Sequence, residues 1–192
     1  MNQDSQYVIR GIRADEWEKV KELRLAALAD PAAPVAFLES PTVAAAQPDE
    51  FWQGRAEGGA KGSVVRQFVA EAADGRWVGS VTVLLESAGA RGIFDEEIPV
   101  DQGHLVGVFV RPEQRGTGLT EALFQAALDW AWSLEEPTRE RVRLFVHEEN
   151  ARAAAFYRRF GFEASGFTVP MPGDSGAKEF EYLIARPRAQ AV

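Results

Sequence analysis

Apolar and polar positions along the chain follow two periods, one near 3.6 residues and one of 2. Residues 7–13 read as a short opening strand with Tyr7 and Ile9 on one face. Asp15 then opens a helix through about Ala29, where Trp17, Val20, Leu23 and Ala27 recur at helical spacing. An irregular piece with Pro31, Pro34 and Phe37 follows. A second helix begins near Pro48 and Asp49, anchored by Phe51 and Trp52 and ended by Gly58 and Gly59. Residues 64–72 and 77–85 are strands joined through Asp74–Gly75, a dipeptide that favours a tight hairpin turn. Residues 86–102 have no clear period and set five acids against Arg91.

The run from His104 to Val110 is the most strand-like in the chain, and Pro112 stops it. Leu119, Leu123, Ala126, Ala127, Trp130 and Leu134 then trace one face of a long helix. Residues 141–146 form a strand alternating basic and apolar side chains. Asn150 starts a helix bearing Ala153, Phe156, Tyr157 and Phe160, and Gly161 ends it. Two last strands, 162–169 and 179–185, are separated by a loop over 170–176. The order β-α-α-β-β-β-α-β-α-β-β mixes hairpins with crossovers, which predicts an α/β sandwich around a mixed sheet. No linker or internal repeat divides the chain, so residues 1–192 are expected to form one domain.

Composition narrows the chemistry. The 192 residues contain no cysteine, which excludes disulfides, thiolate metal sites and a cysteine nucleophile. The two histidines, His104 and His147, are far apart and lack HExxH spacing, so no metal is expected. A net charge of −8 has the wrong sign for a nucleic-acid partner and suits the steering of a positively charged substrate. Residues 1–10 carry no apolar leader, and no stretch approaches the roughly 18 apolar residues of a membrane span, so a cytoplasmic protein without a membrane partner is expected. Phe51 and Trp52 fit a homodimer contact and a core equally well.

Two segments are candidates for chemistry. Arg115-Gly116-Thr117-Gly118-Leu119-Thr120 lies between a strand and a long helix. Its glycines let a ligand approach the backbone, and the free N–H groups of the helix start attract phosphate, with Arg115 as a further positive charge. A plain strand-to-helix turn needs the same glycines. No GK[ST] follows, so it is not a P-loop, and Glu121 stands where a dinucleotide fingerprint needs its third glycine. The second segment is Asn150-x-x-Ala153-x-x-x-Tyr157-x-x-x-Gly161-Phe162, where a helix cap, a core aromatic and a helix stop already account for the residue types.

Together the two segments resemble the acetyl-CoA pyrophosphate motif of the GNAT superfamily of N-acetyltransferases, [RQ]xxGx[GA], and the motif that follows it. The resemblance is close over about residues 103–166, the expected cofactor-binding core; the last motif position is Thr120 instead of Gly or Ala. It implies a GNAT-like α/β fold: a mixed, mostly antiparallel central sheet of about seven strands flanked by about four helices. It also implies an enzyme that moves the acetyl group of acetyl-CoA to a primary amine, with no metal. Val108, Phe109 and Val110 would pair with the pantetheine arm, and the N–H near Val110 would polarise the thioester carbonyl. Gly107 is where the strand would bulge and splay from its neighbour.

Arg115, Gly116, Thr117, Gly118, Leu119 and Thr120 would bind the pyrophosphate, and Asn150 and Phe156 would line the cofactor arm. Tyr157 matches the family's general acid, with a tyrosine pKa near 10 against a thiol near 8.5. His104 stands where many members carry a basic glutamate, and would take the amine's proton directly or through water. The resemblance also places the acceptor between the loop around residues 34–37, the loop near 170–176 and the fourth strand, where Phe37, Glu39, Met171 and Asp174 would suit a small cationic amine. A non-catalytic acyl-CoA-binding or regulatory module of the same fold is the alternative reading, and a nucleotide-dependent oxidoreductase a more distant one.

Overall fold

The computed structural model describes residues 7–188. Seven strands form one sheet in the order β1-β2-β3-β4-β5-β7-β6, accompanied by five α-helices. The strands are β1 (Tyr7–Gly11), β2 (Val65–Ala72), β3 (Trp77–Glu86), β4 (Gln102–Val110), β5 (Arg141–His147), β6 (Glu163–Met171) and β7 (Asp174–Ala185). Pairing is antiparallel for β1 with β2, β2 with β3, β5 with β7 and β6 with β7, and parallel for β4 with β5. The helices are α1 (Trp17–Leu28), α2 (Pro41–Ala45), α3 (Asp49–Lys61), α4 (Leu119–Ser133) and α5 (Ala151–Phe160). The mostly antiparallel seven-stranded sheet is the fold class that the family resemblance implies, with five α-helices where about four were expected.

The chain falls into two compact units whose boundary crosses β4 between Leu105 and Val106. One holds residues 7–84 together with Val106–Ala127. Its core joins Val20, Leu23 and Ala27 of α1 to Trp52 and Ala56 of α3, and to Val69, Trp77 and Phe109 of the strands. Trp52 is fully buried, so it belongs to this core; its neighbour Phe51 remains 38 % exposed and meets it edge-on at 5.1 Å. Helix α3 does not stop at Gly58 and Gly59 but runs on to Lys61, where Gly62 closes it at φ 71°. Gly59 serves packing: a Cβ there would lie 3.0 Å from Ile12 Cδ1 and 3.3 Å from Gln67 Cβ. The irregular piece after α1 contains a 3-10 turn at Ala33–Val35 and the short α2, begun by Pro41 in the first helical position that proline favours.

The other unit comprises Leu85–Leu105 and residues 128–188. Here β5 runs along β7 from Arg141↔Ala185 to His147↔Glu179. Asn150 caps α5 by accepting the Ala153 N–H at 3.2 Å, and Gly161 ends it at φ 119°. The loop expected over 170–176 is shorter than its sequence implies. Strand β6 runs through Pro170 to Met171, β7 starts at Asp174, and only Pro172 and Gly173 (φ 82°) form the turn. Pro170 is tolerated because β6 is the sheet's last strand, where a missing N–H is harmless. No helix among the described residues is long and apolar enough to cross a membrane.

Candidate active site

The glycine segment forms a turn of the kind that only glycine adopts without strain. Gly116 and Gly118 have φ 78° and 85°, and nothing lies within 4 Å of where a Cβ would sit on either. Open space therefore stands in front of the backbone just before α4, whose first N–H groups have no partner within the helix. Leu119 is buried, so it offers its backbone alone, while Thr120 is half-buried. Thr117 donates its hydroxyl to the Gln114 carbonyl at 2.7 Å, which tightens the turn. The Arg115 side chain turns inward, donating to the Val110 carbonyl at 3.1 Å and pairing with Asp30. It braces the turn against the end of α1 and leaves the ligand side to the main chain.

The strand feeding this turn is clamped. Arg111 donates its main-chain N–H to Val78 and its Nε to the Trp77 carbonyl, at 2.9 and 2.8 Å, and its guanidinium meets Glu22 at 2.7 Å. Gly79 lets β3 approach closely, since a Cβ there would stand 3.0 Å from the Phe109 carbonyl oxygen. Gly107 lies in mid-strand at φ 62°, where Val108, Phe109 and Val110 follow. The register of β4 on β5 is Gly103↔Val142 and His104↔Arg143, at the start of both strands.

In the other unit, His104 is 1 % exposed and its Nδ1 lies 2.8 Å from Glu86 Oε1. Glu86 also accepts from Arg143 Nε at 2.8 Å and from Gln102 Nε2 at 2.7 Å. Burial alone pushes the Glu86 carboxyl upward, but the hydrogen bonds from His104 and Arg143 outweigh it and hold Glu86 down at about 2. A carboxylate so firmly ionised acts as acceptor toward Nδ1–H. Arg143, also 1 % exposed, further meets Glu181 at 3.3 Å and Glu96. It is the centre of a buried polar cluster that ties β5 to β3, β7 and the 86–102 segment.

Tyr157 stands on the buried face of α5, edge-on to Phe162 at 6.2 Å and 6.4 Å from the Tyr182 ring. Burial, and next the negative charge of Glu179, push its hydroxyl up to about 12. That corrects the value near 10 taken from unperturbed tyrosine. Phe156 is half-buried and packs on Tyr157 at 5.8 Å. Glu179 itself is 7 % exposed, and burial pushes its carboxyl up to about 7.

On the proposed acceptor side, Glu39 is already matched: Arg24 Nε donates to it at 2.7 Å, Arg55 lies 4.0 Å away, and the Arg24 guanidinium covers Phe37 at 4.7 Å. Met171 ends β6, and the side chain of Asp174 lies outside the described residues.

Sequence reading missed Glu86, Arg143, Arg111 and Glu179. A signal existed for the first pair: an inner strand of alternating basic residues needs buried acids opposite it, and the acidic 86–102 segment supplies them. Glu179 gave none, because a single acid at a strand start looks solvent-facing until the fold covers it.

Residues 24–162 match the model of the acetyltransferase (GNAT) family. A 96-residue segment is 38 % identical to mycothiol acetyltransferase of Saccharomonospora viridis, covering 50 % of this chain and 29 % of that protein. An 89-residue segment is 30 % identical to a putative [ribosomal protein bS18]-alanine N-acetyltransferase of Bacillus subtilis, covering 46 % of this chain and 55 % of that one. These matches thus span less than two thirds of either relative. The fold is similar to that of spermidine N-acetyltransferase from Vibrio cholerae, solved with CoA and spermine (TM-score 0.67, 17 % identity, 95 % of this chain and 96 % of that one). It is also similar to a GNAT-family acetyltransferase from Streptococcus pneumoniae (TM-score 0.68, 16 % identity, 94 % and 99 %).

Proposed function

The chain belongs to the acetyltransferase (GNAT) family, and from that premise we propose that it transfers the acetyl group of acetyl-CoA to the primary amine of a small cationic acceptor by direct attack. The observation that carries this is the pair of left-handed glycines, Gly116 and Gly118, with open space before the N-terminus of α4. The main chain of residues 115–120 holds the pyrophosphate there. Val108, Phe109 and Val110 pair with the pantetheine arm, Asn150 and Phe156 line it, and the N–H near Val110 receives the carbonyl oxygen as it gains charge.

The amine nitrogen attacks the thioester carbonyl, the carbon–sulfur bond breaks, and Tyr157 gives its proton to the departing thiolate. His104 takes the amine's proton, directly or through water, with Glu86 fixing its tautomer. A cationic acceptor agrees with the net charge of −8, and the similar Vibrio cholerae protein was solved with spermine, a polyamine.

Thermal unfolding in acetyl-CoA, CoA, NAD and ATP, run side by side, tests the cofactor. Saturation at about 100 times the dissociation constant adds about 2.7 kcal/mol, a rise of roughly 5–11 °C at this chain length. The two CoA species alone are expected to give that shift; a clean melt unmoved by either rejects the assignment. For the base, His104→Ala removes the low-pH limb of kcat. If that limb persists, the proton goes elsewhere.

A further inference from the structure

We propose that Phe94, Phe145 and Phe167 form the acceptor's specificity surface, joined to His104 through Phe145, and that this surface selects primary amines carrying an aromatic ring on a short chain. The inference rests on the acetyl-transfer reading with His104 as its base, and narrows the cationic acceptor to one class. All four side chains belong to the unit that holds residues 85–105 and 128–188.

Phe145 is the centre of the group. On β5 it lies two residues beyond Arg143, so the two share one face of the sheet. His104, opposite Arg143 in the β4–β5 register, brings its ring to 5.5 Å from that of Phe145. The Phe94 ring meets Phe145 at 4.9 Å and the Phe167 ring at 6.5 Å. All three contacts are edge-to-face, at angles between 60° and 65°. An aromatic surface therefore begins at the proposed base and reaches solvent at Phe167, which is 45 % exposed.

Phe167 owes its place to a bulge. Ala164 pairs with Tyr182 and Thr168 with Phe180, so Ser165, Gly166 and Phe167 stand opposite Glu181 alone. Gly166 takes φ 88°, a conformation that favours glycine, with nothing within 4 Å of where a Cβ would sit. The Phe167 N–H donates to Ser165 Oγ at 3.0 Å, and Ser165 gives its hydroxyl to Glu181 at 2.6 Å. Glu181 in turn accepts from Arg143 at 3.3 Å. Bulges re-aim side chains, and this one sets Phe167 against Phe145 and holds it there before any ligand arrives. The fold gains little from the device. Residues 163–168 are all exposed, and a bare apolar ring on the sheet's last strand is a liability unless it serves binding.

The chemistry of the surface selects its occupant. Arg143 already lies over Phe145, 4.9 Å from the ring centroid, so that ring has its cation. What remains open is apolar, and rings at these spacings favour another ring, edge-on or offset. Beside it, one guanidinium serves three carboxylates, Glu86, Glu96 and Glu181, while Arg141 gives its Nε to Gln102. The polar side of the surface is left negative, complementary to an ammonium. A ring against Phe145 and Phe167 with an amine toward His104 satisfies both halves; an aliphatic polyamine satisfies only the second.

Saturation-transfer NMR of the full chain with CoA, where no acetyl group can move, reads the contact apart from turnover. The ring protons of 2-phenylethylamine are expected to take up saturation from the protein, and to lose it in Phe167→Ala. In acetylation assays kcat/KM for 2-phenylethylamine exceeds that for ethylamine by about tenfold or more, and in Phe167→Ala the ratio falls to about threefold or less. 2-Cyclohexylethylamine, apolar but not flat, is the poorer substrate. Gly166→Ala, which strains the bulge and keeps every ring, lowers the phenyl-to-ethyl ratio in the same direction. Equal kcat/KM for the phenyl and ethyl amines in the wild type, or a cyclohexyl compound that matches the phenyl one, overturns the proposal and leaves acetyl transfer standing. A dimer in sedimentation that Phe167→Ala dissociates overturns it too, since the surface then lies between two copies. Ring-proton saturation that Phe167→Ala abolishes, in a chain that transfers no acetyl group, keeps the aromatic surface and removes the acetyl-transfer reading.

Discussion

Arg143→Met lowers the free energy of unfolding by about 3–5 kcal/mol at pH 7, because it takes the shared guanidinium away from three carboxylates, Glu86, Glu96 and Glu181. Methionine replaces the packing of the arginine stem, so the loss reports charge and not volume. The pH dependence separates this cause from a general loosening. In the native cluster Glu86 titrates at about 2, below the usual carboxylate value. Its contribution is complete above about pH 4.5 and disappears as the pH falls through 2, so wild-type stability rises with pH across that window. Without Arg143 the acids are buried near one another with less compensation, and their proton affinities move up. The variant then loses stability as the pH rises from about 4.5 toward 7, a slope of opposite sign. Urea unfolding at pH 3, 5 and 7 measures both slopes. Equal stability of variant and wild type at pH 7 would show that the cluster is solvated.

The elements that could be read in advance were those whose pattern is local. The helix over Leu119–Ser133, the Asp74–Gly75 hairpin and the cap and stop of α5 at Asn150 and Gly161 all depend on contacts within a few residues. Boundaries failed where a distant neighbour decides them. Gly58 and Gly59 look like a helix end, yet α3 continues because Gly59 is where the helix comes close to Ile12 and Gln67. The stretch after Met171 looks like a long loop, yet β7 reaches back to Asp174 because β6 is there to pair with it.

The same division holds for the site. The glycine turn was legible because left-handed backbone requires glycine, whatever surrounds it. The inward turn of Arg115 to Asp30 and the burial of Glu179 were not, because both depend on residues 85 positions away or on another strand.

Tyr157→Phe lowers kcat by about 10²-fold or more while leaving the fold and the KM for acetyl-CoA unchanged. Phenylalanine fills the same space against Phe162 and Tyr182 and removes only the hydroxyl. A hydroxyl held at about 12 is a weak acid toward a thiolate near 8.5, a mismatch of about 5 kcal/mol if the proton moved to the fully departed thiolate. Tyr157 therefore acts as the carbon–sulfur bond breaks, when the sulfur is most basic. The raised value also predicts what is missing from the wild-type profile: kcat shows no alkaline fall from Tyr157 below about pH 11, since the hydroxyl stays protonated throughout. In Glu179→Gln the field is gone and that limb moves to lower pH. Steady-state kinetics of Tyr157→Phe from pH 6 to 10 decides the matter. A rate within twofold of wild type across that range would assign Tyr157 to packing alone and leave the thiolate to depart unprotonated.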